Sequence, residues 1–268
     1  MVRIAPMPDP AVNLEINEAV YSAAEYKERY FKDRHNFAAW AREKLQLIER
    51  CRPGKGRILD VGCSYGVFIE EAAKLGWDAC GCEINPVTGN YSREHFGGKV
   101  HAGDLATAPF PLASFDVITL WDVIEHQPDP AAFLKNAAKY LKDDGIIFLQ
   151  VPNFDSYISG LKKDGWDWLT PGDHKYFFTP ATLVRTAAAA GFSLIYLKTW
   201  EPTRYFIDSL IGLAERSGPV ADIYRATVVR FVRLFLFFLF LPFQSRLRAA
   251  DKGALLVGGF SRKDRPDV

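Results

Sequence analysis

Apolar positions through the middle of the chain fall into two alternating rhythms. Residues 57–63, 77–83, 99–104, 115–121 and 145–151 are short, nearly continuous apolar runs, the pattern of strands covered on both faces. Between them, residues 66–75, 86–96 and 130–141 place apolar side chains at helical spacing, the last begun by Pro130. The alternation of strand and helix predicts an α/β fold built on a doubly wound, mostly parallel sheet. Asp143-Asp144-Gly145 reads as the turn that opens the fifth strand. Further on, Thr179 caps a helix running to Ala190, Gly191 ends it, and residues 192–199 and 254–260 supply a sixth and a seventh strand. Ahead of the sheet, Phe37, Trp40, Leu45 and Ile48 share one face of a helix over 35–51, which Arg52-Pro53-Gly54 breaks.

The elements divide the chain into an N-terminal helical segment (1–52), a core (53–200), an apolar helical insertion (201–253), and a last strand with its tail (254–268). Within the insertion, residues 228–242 are mostly Phe, Leu and Val. Arg230, Arg233 and Pro242 leave the run too short for a span of about 20 residues. With Arg225, Arg246 and Arg248 nearby, it suits either the surface of an anionic membrane or burial against the sheet or a second chain. Residues 1–10 contain three prolines and no apolar stretch, so no secretory leader is expected. The expected location is cytoplasmic, with peripheral contact on the inner face of the membrane if the insertion docks there.

With 49% hydrophobic and 24% charged residues, the 268-residue chain can bury a full core. Its 33 basic and 32 acidic residues leave a net charge of +1, which provides no field for nucleic acid. Cys51, Cys63, Cys80 and Cys82 include no CxxC pair, and no structural metal is expected.

The informative chemistry begins where the first strand ends, at Asp60-Val61-Gly62-Cys63-Ser64-Tyr65-Gly66. A glycine turn between strand and helix lets a ligand approach the backbone. Three residues separate Gly62 from Gly66, so the G-x-G-x-x-G of a pyrophosphate site is not met, and Asp60 would repel phosphate. Glu83 ends the second strand, where a carboxylate can accept from both hydroxyls of a ribose, and Asp104 ends the third, where one can accept from an adenine amino group. Three carboxylates along one sheet edge suit a cationic ligand that carries a nucleoside. Cys63 reads as a packing residue, not a nucleophile.

The segment 60–66 resembles motif I of the class I S-adenosylmethionine-dependent methyltransferases. The likeness extends from Arg57 to Phe192 through Phe115-Asp116-Val117-Ile118 and Leu141-Lys142-Asp143-Asp144-Gly145-Ile146. It is nearest to the bacterial branch resembling ubiquinone-biosynthesis O-methyltransferases. The resemblance implies a Rossmann-like sheet of seven strands and S-adenosylmethionine as cofactor. Asp60, Gly62, Cys63, Ser64 and Gly66 would surround its amino-acid end, Glu83 its ribose and Asp104 its adenine, with Ile84, Leu105 and Trp121 also at the cofactor. Ser64 stands where the family's middle glycine is usual, which calls for a negative φ there.

Methyl transfer to a hydroxyl needs alignment and a proton acceptor. After the fourth strand, Trp121-Asp122-Val123-Ile124-Glu125-His126 resembles the family segment beside the reacting methyl. His126 reads either as a general base titrating near neutral pH or as a loop anchor. Asp122, Glu125 and His126 can alternatively converge on a divalent cation. His174, in Asp173-His174-Lys175-Tyr176-Phe177-Phe178, is the second candidate catalytic residue, facing the acceptor or fixing its loop. Tyr157, Trp166 and Trp168 either stack on an acceptor or cover the sheet, and Tyr21, Tyr26, Tyr30 and Phe31 pose the same choice. The expected reaction is O-methylation of a small molecule, saccharide or lipid-linked intermediate. A non-catalytic cofactor-binding protein and a nicotinamide-dependent oxidoreductase are the alternatives.

Overall fold

The computed structural model describes residues 2–3, 19, 24–170, 172–202, 246 and 250–263. Two helices lead, α1 (Ala24–Lys32) and α2 (Arg34–Cys51). There follow β2 (Arg57–Val61), α3 (Val67–Lys74), β3 (Asp78–Glu83), α4 (Pro86–Phe96), β4 (Val100–Ala102), β5 (Phe115–Trp121), α5 (Pro130–Ala138) and β6 (Leu141–Pro152). A short helix α6 (Tyr157–Lys162), the strand β7 (Tyr176–Phe177), α7 (Pro180–Ala189), β8 (Phe192–Trp200) and β9 (Leu255–Arg262) complete the order. A two-residue strand, β1 (Val2–Arg3), pairs antiparallel with β7.

Seven strands form one sheet in the order β4-β3-β2-β5-β6-β9-β8. Its first five strands run parallel, and β9 lies antiparallel between β6 and β8. The chain reverses from β3–β4 to β5–β6 on either side of β2, and the crevice at that reversal is where open α/β sheets take ligands.

Period-two alternation sends neighbouring residues to opposite layers. Ile58, Val117 and Phe148 join a cluster with Leu45 and Ile48 of α2 and Ile69 and Ala72 of α3. Leu59, Ile118 and Leu149 join the opposite cluster with Leu134 and Ala137 of α5 and Leu183 and Ala187 of α7. Covered on both faces, these strands carry apolar runs with no polar face to mark them.

Helix starts follow their caps. Asn85 accepts from the N–H groups of Val87 and Thr88, Asp129 from Ala132, and Thr179 forms a capping box with Thr182. The second strand after the leading helices begins one residue later than expected, at Asp78, and the helix begun by Pro130 stops at Ala138. Asp143-Asp144-Gly145 does not form a free turn. Leu141 already pairs with Phe115, Ile146 resumes the ladder opposite Val117, and the three residues are taken up as an irregularity inside β6. Ser156, whose side chain accepts from Ser159 N, starts α6 in a region the sequence presents as an aromatic loop. Nearly all of the apolar insertion, 203–245 and 247–249, lies outside the described residues. Among those described, no helix is long and apolar enough to cross a membrane.

Candidate active site

At the carboxyl ends of β2, β3 and β5, a cavity of about 290 Å³ opens between the sheet and helices α1 and α2. Asp60, Gly62, Cys63, Ser64, Glu83, Ile84, Trp121 and His126 line it. Gly66, Asp104, Leu105 and His174 do not, although Gly66 starts the helix whose Val67 and Phe68 do. Gly66 is the left-handed residue that starts α3, with φ +82°. Asp104 caps a single helical turn by accepting from Ala106 N at 2.7 Å, and Leu105 is buried in the core.

The turn between β2 and α3 is held by hydrogen bonds. Gly62 N and Cys63 N donate to the Cys82 carbonyl at 2.8 and 3.2 Å. Ser64 N donates to Glu83 Oε2 at 2.7 Å, and the Ser64 carbonyl accepts from Ser92 Oγ. These bonds overturn the expectation of a negative φ at Ser64, which sits at +48°. A non-glycine residue reaches that region only when its surroundings hold it there, and here both faces of its backbone are tied.

Glu83 is buried, and its second oxygen accepts from Asn85 N at 2.8 Å. Burial pushes its pKa up, while the two backbone donors oppose the rise. The Thr88 hydroxyl and the Ile84 N–H also bond to this carboxylate and hold it at the cavity wall. Asp60, buried as well, accepts from Thr119 Oγ1 at 2.7 Å. Its pKa is pushed up to about 7 by burial, against the Thr119 bond and the Lys44 charge. A cationic ligand beside Asp60 would return it to the ionised form. Cys63 is buried against Gly81, and burial raises its thiol far above the ordinary value, in keeping with packing rather than nucleophilic chemistry.

After β5, His126 and His174 come together with ring centroids 4.8 Å apart. His126 Nδ1 lies 2.9 Å from Asp173 Oδ1, and His174 Nδ1 lies 2.8 Å from the Trp168 carbonyl. Burial disfavours charge on His126, but Asp173 and Glu125 outweigh it and raise its pKa to about 9. This moves it away from the neutral range expected from the sequence. His174 moves the other way, lowered by burial and by the charge of His126.

Glu125 is buried, and neither of its oxygens finds a hydrogen-bond partner among the described residues. Burial lifts its pKa to about 8. Glu125, His126 and His174 bring ligand atoms within 4.8 Å of one another. Asp122 is not part of that group; its Oδ2 accepts from Gln150 Nε2 at 2.8 Å, and its buried Oδ1 has no partner among the described residues.

Sequence reasoning missed the cavity wall supplied by Trp40 and Lys44 of α2, whereas Tyr26 and Tyr30 of α1, which the sequence leaves between stacking on a ligand and packing, both line the cavity. A signal existed for Lys44. It keeps helical register with Phe37, Trp40, Ala41 and Ile48, a charge on an otherwise apolar face.

The family model described as a methyltransferase domain matches residues 31–197. A ubiquinone biosynthesis O-methyltransferase from Xanthomonas axonopodis pv. citri is 32% identical over 166 residues, covering 56% of this chain and 69% of that protein. One of the same name from Azorhizobium caulinodans is 33% identical over 160 residues, covering 53% and 61%. Among solved structures, a SAM dependent methyltransferase from Archaeoglobus fulgidus aligns with a TM-score of 0.58 at 19% identity, covering 88% of this chain and 98% of that one. Phosphoethanolamine N-methyltransferase 2 from Haemonchus contortus, in complex with S-adenosyl-L-methionine, gives a TM-score of 0.53 at 17% identity, covering 82% and 52%. A carboxylate-lined cavity over a glycine turn fits that cofactor's sulfonium and ribose. The chain belongs to the S-adenosylmethionine-dependent methyltransferases.

Proposed function

We propose that the chain methylates a hydroxyl oxygen of a small molecule, saccharide or lipid-linked intermediate. The observation that carries this reading is the imidazole of His126. Its Nδ1 is committed to Asp173 and the residue lines the cavity with Trp121, so Nε2 would be the nitrogen that serves an acceptor. The O-methyltransferase names of the relatives support an oxygen acceptor. When bound, S-adenosylmethionine supplies an electrophilic methyl on a sulfonium. Glu83 would hold the ribose and Asp60 would face the cationic end, while α1 and α2 close the cavity against water. Peripheral docking of residues 231–243 on an anionic membrane belongs to the same proposal and rests on the sequence alone.

Below pH 9, His126 holds its proton and donates to the acceptor oxygen. Above it, the neutral ring can take the hydroxyl proton. With a hydroxyl acceptor, the rate should therefore climb as pH rises through about 9. Asp173→Asn, which removes the carboxylate that raises the pKa, should move this limb down by about 1–2 pH units toward the ordinary histidine range. A limb that stays put in Asp173→Asn would remove His126 as the titrating group.

A second reading has its own observation, the unpartnered carboxylate of Glu125 beside His126 and His174. A divalent cation there would polarise the acceptor oxygen and keep both imidazoles neutral. Loss of activity in chelator with recovery on added magnesium or zinc would favour it. Activity indifferent to chelator favours the base. Labelled methyl transfer from S-adenosylmethionine into a cell extract, followed by mass spectrometry, tests the class of product. An N- or C-methylated product, with no methyl ether, would overturn the hydroxyl assignment.

A further inference from the structure

The apolar insertion leaves and rejoins the sheet at the edge that carries the cofactor cavity. β8 runs parallel to β6 through the antiparallel β9 between them, so Trp200, its last residue, stands at the same carboxyl edge as Pro152 of β6 and Trp121 of β5. The two ends are tied together there. Trp200 pairs with Leu255, and Glu201 accepts from Ala254 N at 2.9 Å. Asn153 Nδ2 donates to the Gly253 carbonyl at 2.8 Å, and Tyr157 N to that of Lys252 at 2.9 Å. Gly253 lies so close that a Cβ would stand 2.9 Å from the Trp200 carbonyl carbon. The root of the insertion is therefore a tied joint in which each limb holds the other.

One side chain of this joint meets the cavity wall. Trp200 stacks on Trp40 of α2, with ring centroids 5.5 Å apart and planes at 28°. From Trp40 the contacts continue inward, for Lys44 Nζ lies 3.3 Å from the centre of its ring and 3.9 Å from that of Trp121, which packs on Phe68. Trp40, Lys44, Trp121 and Phe68 all line the cavity, whereas Trp200 stands behind the lining. Trp40 Nε1 is buried with no hydrogen-bond partner among the described residues. Packing, not a hydrogen bond to any of them, sets the turn of this indole, and Trp200 is the ring stacked on it.

We propose that Trp200 is a positioning residue for the cofactor cavity: stacked on Trp40, it sets that wall and couples the root of the insertion to the bound cofactor. Paired rings fix orientation as well as bury area, because they prefer a narrow set of separations and tilts. Coupling between two sites is reciprocal, so a ligand that uses the wall must in turn steady the root. The inference rests on the cofactor occupying this cavity.

Calorimetry with S-adenosylhomocysteine on the full chain reads the first half. Trp200→Leu should weaken binding about 3- to 10-fold, and Trp200→Phe, which restores a ring, should stay within about twofold of wild type. Trp40→Leu should weaken it at least as much. Because Trp200 acts through Trp40, adding Trp200→Leu to that variant should cost less than about twofold more. Hydrogen exchange reads the second half. Saturation with S-adenosylhomocysteine should slow the amides of residues 199–201 and 254–256 by about threefold or more in the wild type, and not in Trp200→Leu brought to the same saturation. Unchanged affinity in a folded Trp200→Leu, or an equal loss in both backgrounds, overturns the positioning role. If that variant does not fold, the unmodified protein decides, since exchange at the root indifferent to S-adenosylhomocysteine overturns the coupling. Wild-type affinity in Trp40→Leu alone overturns instead the placement of the cofactor against this wall.

Discussion

Gly62→Val should abolish measurable binding of S-adenosylmethionine and lower the melting temperature by about 5–15 °C. Gly62 has φ +81°, a region that costs an ordinary residue about 1–2 kcal/mol and a β-branched one more. A Cβ at this position would stand 2.7 Å from Val123 Cγ2, so the two segments that frame the cavity would have to part. Strain and overpacking together reach roughly 2–5 kcal/mol. The damage falls on the ligand because Gly62 and Val123 both line the cavity. Gly62→Ala, with the same φ but no β-branch, should fall between the two. Calorimetry and a thermal melt on both variants check this. Wild-type affinity in the valine variant would place the cofactor elsewhere.

The parts of the fold that sequence resolves are those where local and tertiary forces agree. Phe115–Trp121 appears with both ends in place, because a strand buried on both faces is apolar along its whole length. Pro86–Phe96 likewise begins at a side-chain cap and ends at Gly97, which takes a positive φ. Disagreement arises where a ladder overrides a local preference. Asp143-Asp144-Gly145 has turn chemistry, yet pairing of Leu141 with Phe115 commits the chain to β6 before those residues arrive. At Ser64 the intrinsic preference for negative φ yields to hydrogen bonds from two elements, Glu83 at the end of β3 and Ser92 in α4.

The site divides in the same way. Asp60 and Glu83 are legible because a strand end fixes where a carboxylate goes. His126 and His174 are legible singly, but their contact depends on the path of the chain between β6 and β7. So does the proximity of Asp173, which takes His126 out of the neutral range. The wall from α2 is the least legible. Trp40 and Lys44 look like one face of a core helix, and only the open space beside β5 turns that face into a lining.

Glu83→Ala should weaken S-adenosylhomocysteine by about 100-fold or more, for two reasons that one experiment can separate. The first is structural. The alanine leaves Ser64 N, partly buried, and Asn85 N, buried, without their acceptor, and orphaning a buried donor costs about 1–3 kcal/mol. Ser64 then loses one of the bonds that hold it at positive φ, and the turn that must meet the ligand loosens. Glutamine is no simple rescue, because its amide would set a donor against one of those N–H groups. The second reason is direct, the lost bonds from carboxylate to ribose hydroxyls. Methylthioadenosine and its 2′,3′-dideoxy form, each measured against wild type and Glu83→Ala, give a double-mutant cycle. If Glu83 holds the ribose, removing the hydroxyls should cost the wild type about 10- to 100-fold and the alanine variant little. If it serves only the turn, the hydroxyls should matter equally in both proteins. That result would leave Glu83 as a support for the loop and move the ribose to another wall of the cavity.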